Sequence, residues 1–504
     1  MTAPTLAGTN GHAPTAQSSN TRGSPNSPGS RGTRDARERI AGLVDPGSFV
    51  EFGSEATHRA TAFGMERRRP PGDAVVTGCA RIGERPVAVF AQDPTSLGGS
   101  LGETHAAKIE RMAGWAIRAR TPLVGLLDSG GARIQEGVSA LDGYGRIFRA
   151  NVALSGRIPQ LSVVLGACAG GAVYSPALTD IVIMARDRAS MFLTGPKVVK
   201  AVTHEDVTAD ELGGADVHSR RSGVAHLVAD DAPHALELAR RVLSYLPGSC
   251  WEPAPRREPA EPGPLPRIPE NQRHAYDVRT VIRGLADAGD FLELHERFAR
   301  NLVVGFARIE GGPVGFVANQ PQALAGVLDI NSAEKGARFV RLCDAFGIPL
   351  VALVDTPGFL PGTGQETGGV IRKGAKLLYA FAEASVPRVT VVLRKAFGGA
   401  YIVMNSKSLG ADAVVAWPNS QLAVMGAQGA VDVIYRRELE AEPGRRDELT
   451  SHYEAEAMAP GIAAARLSVD EVIEPEDTRR FLAETLRGLA GADVPRFRHD
   501  NLPQ

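Results

Sequence analysis

The chain has 504 residues, 43% of them hydrophobic and 22% charged, enough for a large core and more than one domain. A formal net charge of -1 supplies no global field for a nucleic acid or an anionic membrane, and neither partner is expected. The four cysteines, Cys79, Cys168, Cys250 and Cys343, form no Cys-x-x-Cys pair. This argues against a zinc ribbon or disulfide framework and for reduced thiols in a cytoplasmic protein that holds no metal.

In chain order, residues 1–33 are rich in Ser, Thr, Asn, Gly and Pro and read as a disordered tail, with no signal peptide. A globular pattern follows over 34–250. Short apolar runs at Val87–Ala91, Leu123–Leu127, Leu161–Leu165 and Ile181–Ala185 predict strands buried on both faces. Apolar spacing predicts a helix over Glu103–Arg120. The apolar window Ile158–Leu178 holds Pro159, Gln160, Pro176 and a Gly pair, so it reads as strand, turn and helix rather than a membrane span. A Pro-rich stretch at 251–270 reads as an extended linker. A second globular region covers 271–504, with a helix predicted at Ser332–Phe346. The alternation makes each region α/β. The basic runs Arg67–Arg69 and Arg436–Arg437 suit solvated surface or, more specifically, a polyphosphate-bearing cofactor.

The two regions share a layout. Leu126-Leu-Asp-Ser-Gly-Gly-Ala-Arg133 is followed by Leu165-Gly-Ala-Cys-Ala-Gly-Gly-Ala-Val-Tyr174. Leu353-Val-Asp-Thr-Pro-Gly-Phe-Leu360 is followed by Leu393-Arg-Lys-Ala-Phe-Gly-Gly-Ala-Tyr-Ile402. A separation of about 230 residues is too long for a solenoid unit, whose period is roughly 20–50, and indicates a duplicated domain. A Gly-Gly pair between a buried strand and a helix start leaves N–H groups unpaired and open to a ligand. Donors from such a start and a neighbouring turn can form an oxyanion hole. Asp128 and Asp355 end strands and read as braces for the turns.

Other motifs carry less. Gly98-Gly-Ser-Leu-Gly102 has the spacing of a nucleophile elbow, but Gln92–Leu97 separates it from the preceding strand, and His105 alone is no partner for Ser100. No HExxH, EF-hand or Walker pattern is present, and no strand precedes a Gly-x-Gly-x-x-Gly.

The segments Ser129-Gly-Gly-Ala-Arg-Ile-Gln-Glu-Gly137, Cys168-Ala-Gly-Gly-Ala-Val-Tyr-Ser-Pro176, Asp355-Thr-Pro-Gly-Phe-Leu-Pro-Gly362, Phe397-Gly-Gly-Ala-Tyr401, Ala416-Trp-Pro418 and Ala423-Val-Met-Gly-Ala427 occur in one order. Together they resemble acyl-CoA carboxylase β subunits, the biotin-dependent carboxyltransferases of acetyl- and propionyl-CoA carboxylases. The resemblance implies two crotonase-like (ββα-spiral) lobes, the first handling acyl-CoA and the second biotin. It implies that carboxybiotin releases CO2, that the ureido anion takes the α proton of the thioester, and that the enolate attacks CO2. Gly170 and Gly171, with the Gly130-Gly131 turn, would hold the enolate; Ala132, Arg133 and Tyr174 would line that pocket. Gly399 and Ala400, with the Gly358-Phe359 turn, would hold the ureido oxygen. The resemblance also implies a partner α subunit carrying biotin and its ATP-dependent carboxylase, because this chain has no biotinyl-lysine segment and no ATP-grasp region. A hexamer built from dimers is expected, the first lobe of one subunit facing the second lobe of another.

Departures from the propionyl-type pattern bear on specificity. Ile402 stands where that pattern has Asp, and Asn405 where it has Ser or Gly. An apolar Ile402 favours acetyl-CoA and malonyl-CoA, with propionyl-CoA and methylmalonyl-CoA second; alternatively, Ile402 only fills core space. Arg133 and Lys108 are candidates for the CoA phosphates. A transcarboxylase, an acyl-CoA decarboxylase, or a non-catalytic scaffold are the remaining readings; a crotonase-like hydratase would need a pocket Glu and only one lobe.

Overall fold

The computed structural model describes residues 35–491; the tail expected at 1–33 lies outside them. The first lobe is built on β1 (Val50–Phe52), β2 (Val75–Ile82), β3 (Arg85–Gln92), β4 (Leu123–Ser129), β5 (Gln160–Ala169), β6 (Ile181–Ala185), β7 (Ser190–Phe192) and β8 (Leu227–Ala229). Its hydrogen-bonded order is β1-β2-β3-β4-β5-β6-β8, with β7 beside β5. The second lobe repeats this plan with β9 (Phe291–Leu294), β10 (Leu302–Ile309), β11 (Gly312–Asn319), β12 (Leu350–Thr356), β13 (Arg388–Phe397), β14 (Ala413–Ala416), β15 (Gln421–Ala423) and β16 (Glu471–Val472). Its order is β9-β10-β11-β12-β13-β14-β16, with β15 beside β13. In each lobe an antiparallel hairpin (β2/β3, β10/β11) leads into parallel strands. Strands β10, β11 and β12 are buried along their whole length, as uninterrupted apolar runs require.

The helices between strands cover the sheets. Helices α1 (Ala36–Leu43), α2 (Glu103–Ala119) and α3 (Val138–Leu154) serve the first lobe. Helices α4 (Ile330–Ala345) and α5 (Val370–Glu383) repeat α2 and α3 in the second. Helix α4 begins before the predicted Ser332 because Asp329 caps it: its carboxylate accepts from the Ser332 N–H at 2.8 Å, and the Ser332 hydroxyl accepts from the Asp329 N–H at 2.7 Å. The Ile158–Leu178 window is β5, a 3-10 turn at Gly170–Val173, and a short helix at Tyr174–Leu178. Among the described residues no helix is long and apolar enough to cross a membrane. Residues 251–270 hold no helix or strand, only an isolated bridge from Pro262 to Asp287.

One apolar core runs from the first lobe into the second, through Leu243, Tyr245 and Leu246 to Leu292, Val304 and Phe306. Tyr245 stacks on Phe306 at 5.6 Å, and the Arg308 guanidinium lies 4.2 Å above the Tyr245 ring. Nearby, His226 and His295 stack at 4.2 Å. The Val182 N–H lies 3.1 Å from His226 Nδ1 and Arg338 Nε 3.1 Å from its Nε2, and a neutral ring accepts from one of the two. Burial, then the neighbouring Lys335 and Arg338, pushes His295 down to about 3; burial, His295 and Arg338 hold His226 well below its ordinary value. Both rings are neutral in the fold, whereas the unfolded chain takes up protons below about pH 6.5. The lobe junction therefore contributes its full stability above that pH and loses it progressively towards pH 3, by up to about 1.4 kcal/mol per pH unit per ring. Urea midpoints measured at about pH 7.5, 6 and 5 should fall in that order. A His226→Gln/His295→Gln protein should show a shallower fall, and an identical pH slope would contradict this assignment.

Candidate active site

Both lobes place a turn after the second parallel strand of the core, at a shift in register. The shift falls between Leu127 and Ser129 in β4 and between Val354 and Thr356 in β12. Hydrogen bonds then consume most of the turn's donors. The Gly130 N–H donates to Gly98 O at 3.1 Å, and the Gly131 N–H to the Ser129 hydroxyl at 3.2 Å. Beyond them, the Arg133 N–H donates to Leu101 O at 2.8 Å. In the second lobe Pro357 has no N–H, the Gly358 N–H donates to Thr356 Oγ1 at 3.3 Å, and the Leu360 N–H to Leu328 O at 2.7 Å. The N–H groups of Ala132 and Phe359 remain, with no carbonyl partner among the described residues. The sequence reading placed the turn donors at Gly130-Gly131; the structure engages both and leaves Ala132. Gly131 is needed for another reason: at φ 97°, a Cβ there would lie 2.9 Å from Ala169 O, which belongs to the adjoining strand.

The second set of donors starts the helix after β5 or β13. Gly170 and Gly398 are both left-handed, at φ 64° and 60°, and turn the chain out of the sheet. This aligns Gly170-Gly171-Ala172 with Gly398-Gly399-Ala400. The sequence reading paired Gly170 and Gly171 with Gly399 and Ala400, which is one residue out of step; Gly171 and Gly399 are the shared positions. As residues of a helical first turn, Gly171, Gly399 and Ala400 have no intrahelical acceptor, and none donates to another carbonyl among the described residues. A Cβ on Gly399 would meet nothing within 4 Å, so that backbone faces open space. A Cβ on Gly171 would lie 3.1 Å from the Tyr144 ring, which supports the loop from beneath.

The strand-ending aspartates brace these turns. Asp355 is fully buried and accepts from Arg394 Nε at 2.8 Å and from the Lys395 N–H at 3.2 Å. Arg394 also donates to Pro269 O, Asn271 O and His274 O, and lies 4.6 Å from the Tyr276 ring. In the first lobe the partner comes from elsewhere: Arg39 of α1 donates to Asp128 at 2.9 Å. Gly166 leaves room for that carboxylate, since a Cβ there would sit 2.2 Å from it. Neither arginine was named from sequence. Arg394 carried a signal, a charge directly after the apolar run Val391–Leu393 in mid-strand; Arg39 carried none.

Several expectations are corrected. Arg133 is not placed to meet a CoA phosphate: it is 2% exposed, donates to Asp73 at 2.6 Å and Glu136 at 2.7 Å, and holds Ser100 O at 2.8 Å. It locks the Ala132 turn to the start of α2. Lys108 is likewise buried, its Nζ donating to Gly72 O and Val75 O. Lys335 does the same in the second lobe with His295 O and Phe298 O. The Ser100 hydroxyl donates to Leu97 O at 2.7 Å, and burial, then Arg133 and Lys108, lowers His105 to about 3, so no nucleophile–base pair forms. Asn405 is buried and left-handed at φ 63°, with its amide donating to Thr390 Oγ1 at 2.9 Å.

Tyr174 is half-exposed and packs edge-on against Phe148, which stacks on Tyr144. Ile402 is partly exposed on the helix Gly398–Val403. Exposed apolar side chains follow each loop in sequence: Ile134, Val138 and Leu141 after the first turn, Val424, Val433 and Ile434 after the second helix start. Apolar surface of this kind marks a contact face.

Each of the two crotonase-like lobes thus carries a glycine loop with backbone donors at matching positions. The chain matches the carboxyl transferase domain family over residues 28–500 and belongs to that family. It is 53% identical over 479 residues to a propionyl-CoA carboxylase carboxyltransferase subunit of Haloferax mediterranei, covering 93% of each chain. It is 50% identical to a biotin-dependent acetyl-/propionyl-coenzyme A carboxylase beta5 subunit of Mycobacterium tuberculosis, covering 93% of this chain and 89% of that one. Among solved structures it is similar to a transcarboxylase 12S hexamer with methylmalonyl-coenzyme A bound, at TM-score 0.88 and 51% identity, covering 90% of this chain and 89% of that one.

Proposed function

We propose that the chain is the carboxyltransferase β subunit of a biotin-dependent acyl-CoA carboxylase, acting on propionyl-CoA to give methylmalonyl-CoA and on acetyl-CoA to give malonyl-CoA. The observation that carries this is the matched pair of unpartnered donor sets, Ala132 with Gly171 and Phe359 with Gly399 and Ala400. The relatives' names weigh towards propionyl-CoA; Ile402 alone weighed towards acetyl-CoA. The open backbone at Gly399 suits a flat ureido ring, which any Cβ there would crowd. When bound, biotin from a separate carrier chain supplies the CO2 and a basic ureido nitrogen.

The N–H groups of Phe359, Gly399 and Ala400 hold negative charge at the ureido oxygen. Those of Ala132 and Gly171 hold the thioester oxygen as the α proton leaves, so the enolate forms against fixed dipoles rather than solvent. One such donor is worth roughly 2.7–4 kcal/mol. The flanking apolar side chains support a dimer in which the first lobe of one copy meets the second lobe of another, and a hexamer built from three such dimers.

Reconstitution with a biotinylated carrier and an ATP-dependent biotin carboxylase should give ATP turnover dependent on propionyl-CoA and, less efficiently, acetyl-CoA. No turnover with either would overturn the proposal. Ile402→Asp should shift the propionyl/acetyl ratio of kcat/KM by about tenfold, in keeping with roughly 1–3 kcal/mol per methylene; an unchanged ratio would leave Ile402 a packing residue. The similarity to the Propionibacterium freudenreichii methylmalonyl-CoA carboxyltransferase 12S subunit, at 51% identity, favours a second reading as a transcarboxylase. Carboxyl transfer between two acyl donors without any ATP-consuming partner would select that reading.

A further inference from the structure

Away from the glycine loops, a cleft opens between the lobes where the turn His218–Ser222 of the first meets Val278–Leu285 and the β9–β10 loop of the second. Its cavity has a volume of about 610 Å³ and is lined by Arg220, Arg279, Arg283, Arg297 and Arg300, facing only Asp277 and Glu296. Two of the five arginines are spoken for: Arg279 pairs with Glu293 and Asp277, and Arg297 with Asp216. Arg220, Arg283 and Arg300 are exposed and form no ion pair or side-chain hydrogen bond within the described chain. Such a concentration of positive charge is not explained by folding, because unpaired guanidinium groups repel one another across the cleft. It also stands out in a chain whose net charge is -1.

Arg279 and Arg283 lie four residues apart on one helix and so share a face, while Arg220 approaches from the other lobe. Planar guanidinium forks converging from separate elements match the oxygens of linked phosphates better than a single carboxylate. A second cavity of about 300 Å³ adjoins the cleft, sharing Arg279, Arg283, Glu296 and Arg297 and adding Arg186, Arg241 and Glu293.

We propose that this inter-lobe cleft binds a di- or triphosphate group at a site separate from the glycine loops, with Arg220, Arg283 and Arg300 as the cations free to hold it. The phosphate chain of a nucleotide and a free inorganic polyphosphate present the same chemistry.

Calorimetric titration of the full chain with tripolyphosphate and with ATP, at low and moderate salt, tests the site. Tripolyphosphate should bind saturably, more weakly as salt rises, and about tenfold or more weakly to Arg283→Gln/Arg300→Gln than to the unaltered chain. Arg480→Gln/Arg487→Gln, which removes the same charge from an exposed helix elsewhere, should bind as the unaltered chain does. Tighter binding of ATP assigns the site to nucleotides; equal binding assigns it to the phosphate chain alone. No saturable binding up to about 5 mM, or equal binding to both double variants with unchanged unfolding midpoints, would overturn the proposal. Displacement of tripolyphosphate by CoA, with acyl-CoA affinity lost in the same Arg283/Arg300 variant, would place the substrate's own diphosphate there and overturn a separate site.

Discussion

Ala400→Pro should lower carboxyl transfer by about 10²- to 10³-fold while leaving acyl-CoA binding intact. Ala400 is the third residue of its helix, where proline is tolerated because the missing N–H has no intrahelical acceptor. Gly399, just before it, has no Cβ to collide with the proline ring. The substitution removes one donor from the second lobe, and because Ala400 is fully buried in the core, thermal unfolding must show how well the ring is accommodated. Gly171→Val acts on the other lobe, by crowding the thioester side and pressing on Tyr144, and should also weaken acyl-CoA binding. Steady-state rates, direct acyl-CoA titration and thermal unfolding together separate these effects. Activity of Ala400→Pro within about threefold of the unaltered enzyme would remove the second lobe's helix-start donors from the proposed chemistry.

The strands and the glycine loops were legible because each rests on local pattern: apolar runs between turn residues, then Gly-Gly before a helix. β6 is Ile181–Ala185, as the apolar run predicts, and α2 ends one residue before the predicted Arg120. What could not be read is how tertiary hydrogen bonds divide up the donors. Nothing local says that Gly98 O takes the Gly130 N–H, or that Ser129 turns back on Gly131, leaving Ala132 as the open group. Arg133 looked like a ligand for phosphate because a charged side chain beside a glycine turn is usually exposed. Its burial depends on Asp73, sixty residues earlier, which the sequence gives no reason to place there. The same holds for Arg39 and Asp128. The duplication helps with the turns but misleads about their braces, because Asp355 meets an arginine on the neighbouring strand and Asp128 meets one from α1.

That asymmetry sets up the largest stability effect expected in the chain. Arg394→Met should destabilise the fold by about 3–5 kcal/mol, because it leaves the Asp355 carboxylate buried with only the Lys395 N–H and a distant Lys395 ammonium at 3.8 Å. Both members of the pair are at most 1% exposed, so water cannot take the lost partner's place. Asp355→Asn should cost less, since Arg394 keeps three carbonyl acceptors in the 269–274 segment. Removing both charges should recover part of the loss, giving a coupling that a double-mutant cycle in urea unfolding reads directly. Arg39→Met tests the equivalent pair, where Asp128 is 15% exposed and water can reach it, and should therefore cost less than Arg394→Met. A loss below about 1 kcal/mol for Arg394→Met would show that the pair does not hold the Phe359 turn. A full loss accompanied by carboxyl transfer that falls in the remaining folded enzyme would show that it does, because the Phe359 N–H is aimed only as well as the turn beneath it is fixed.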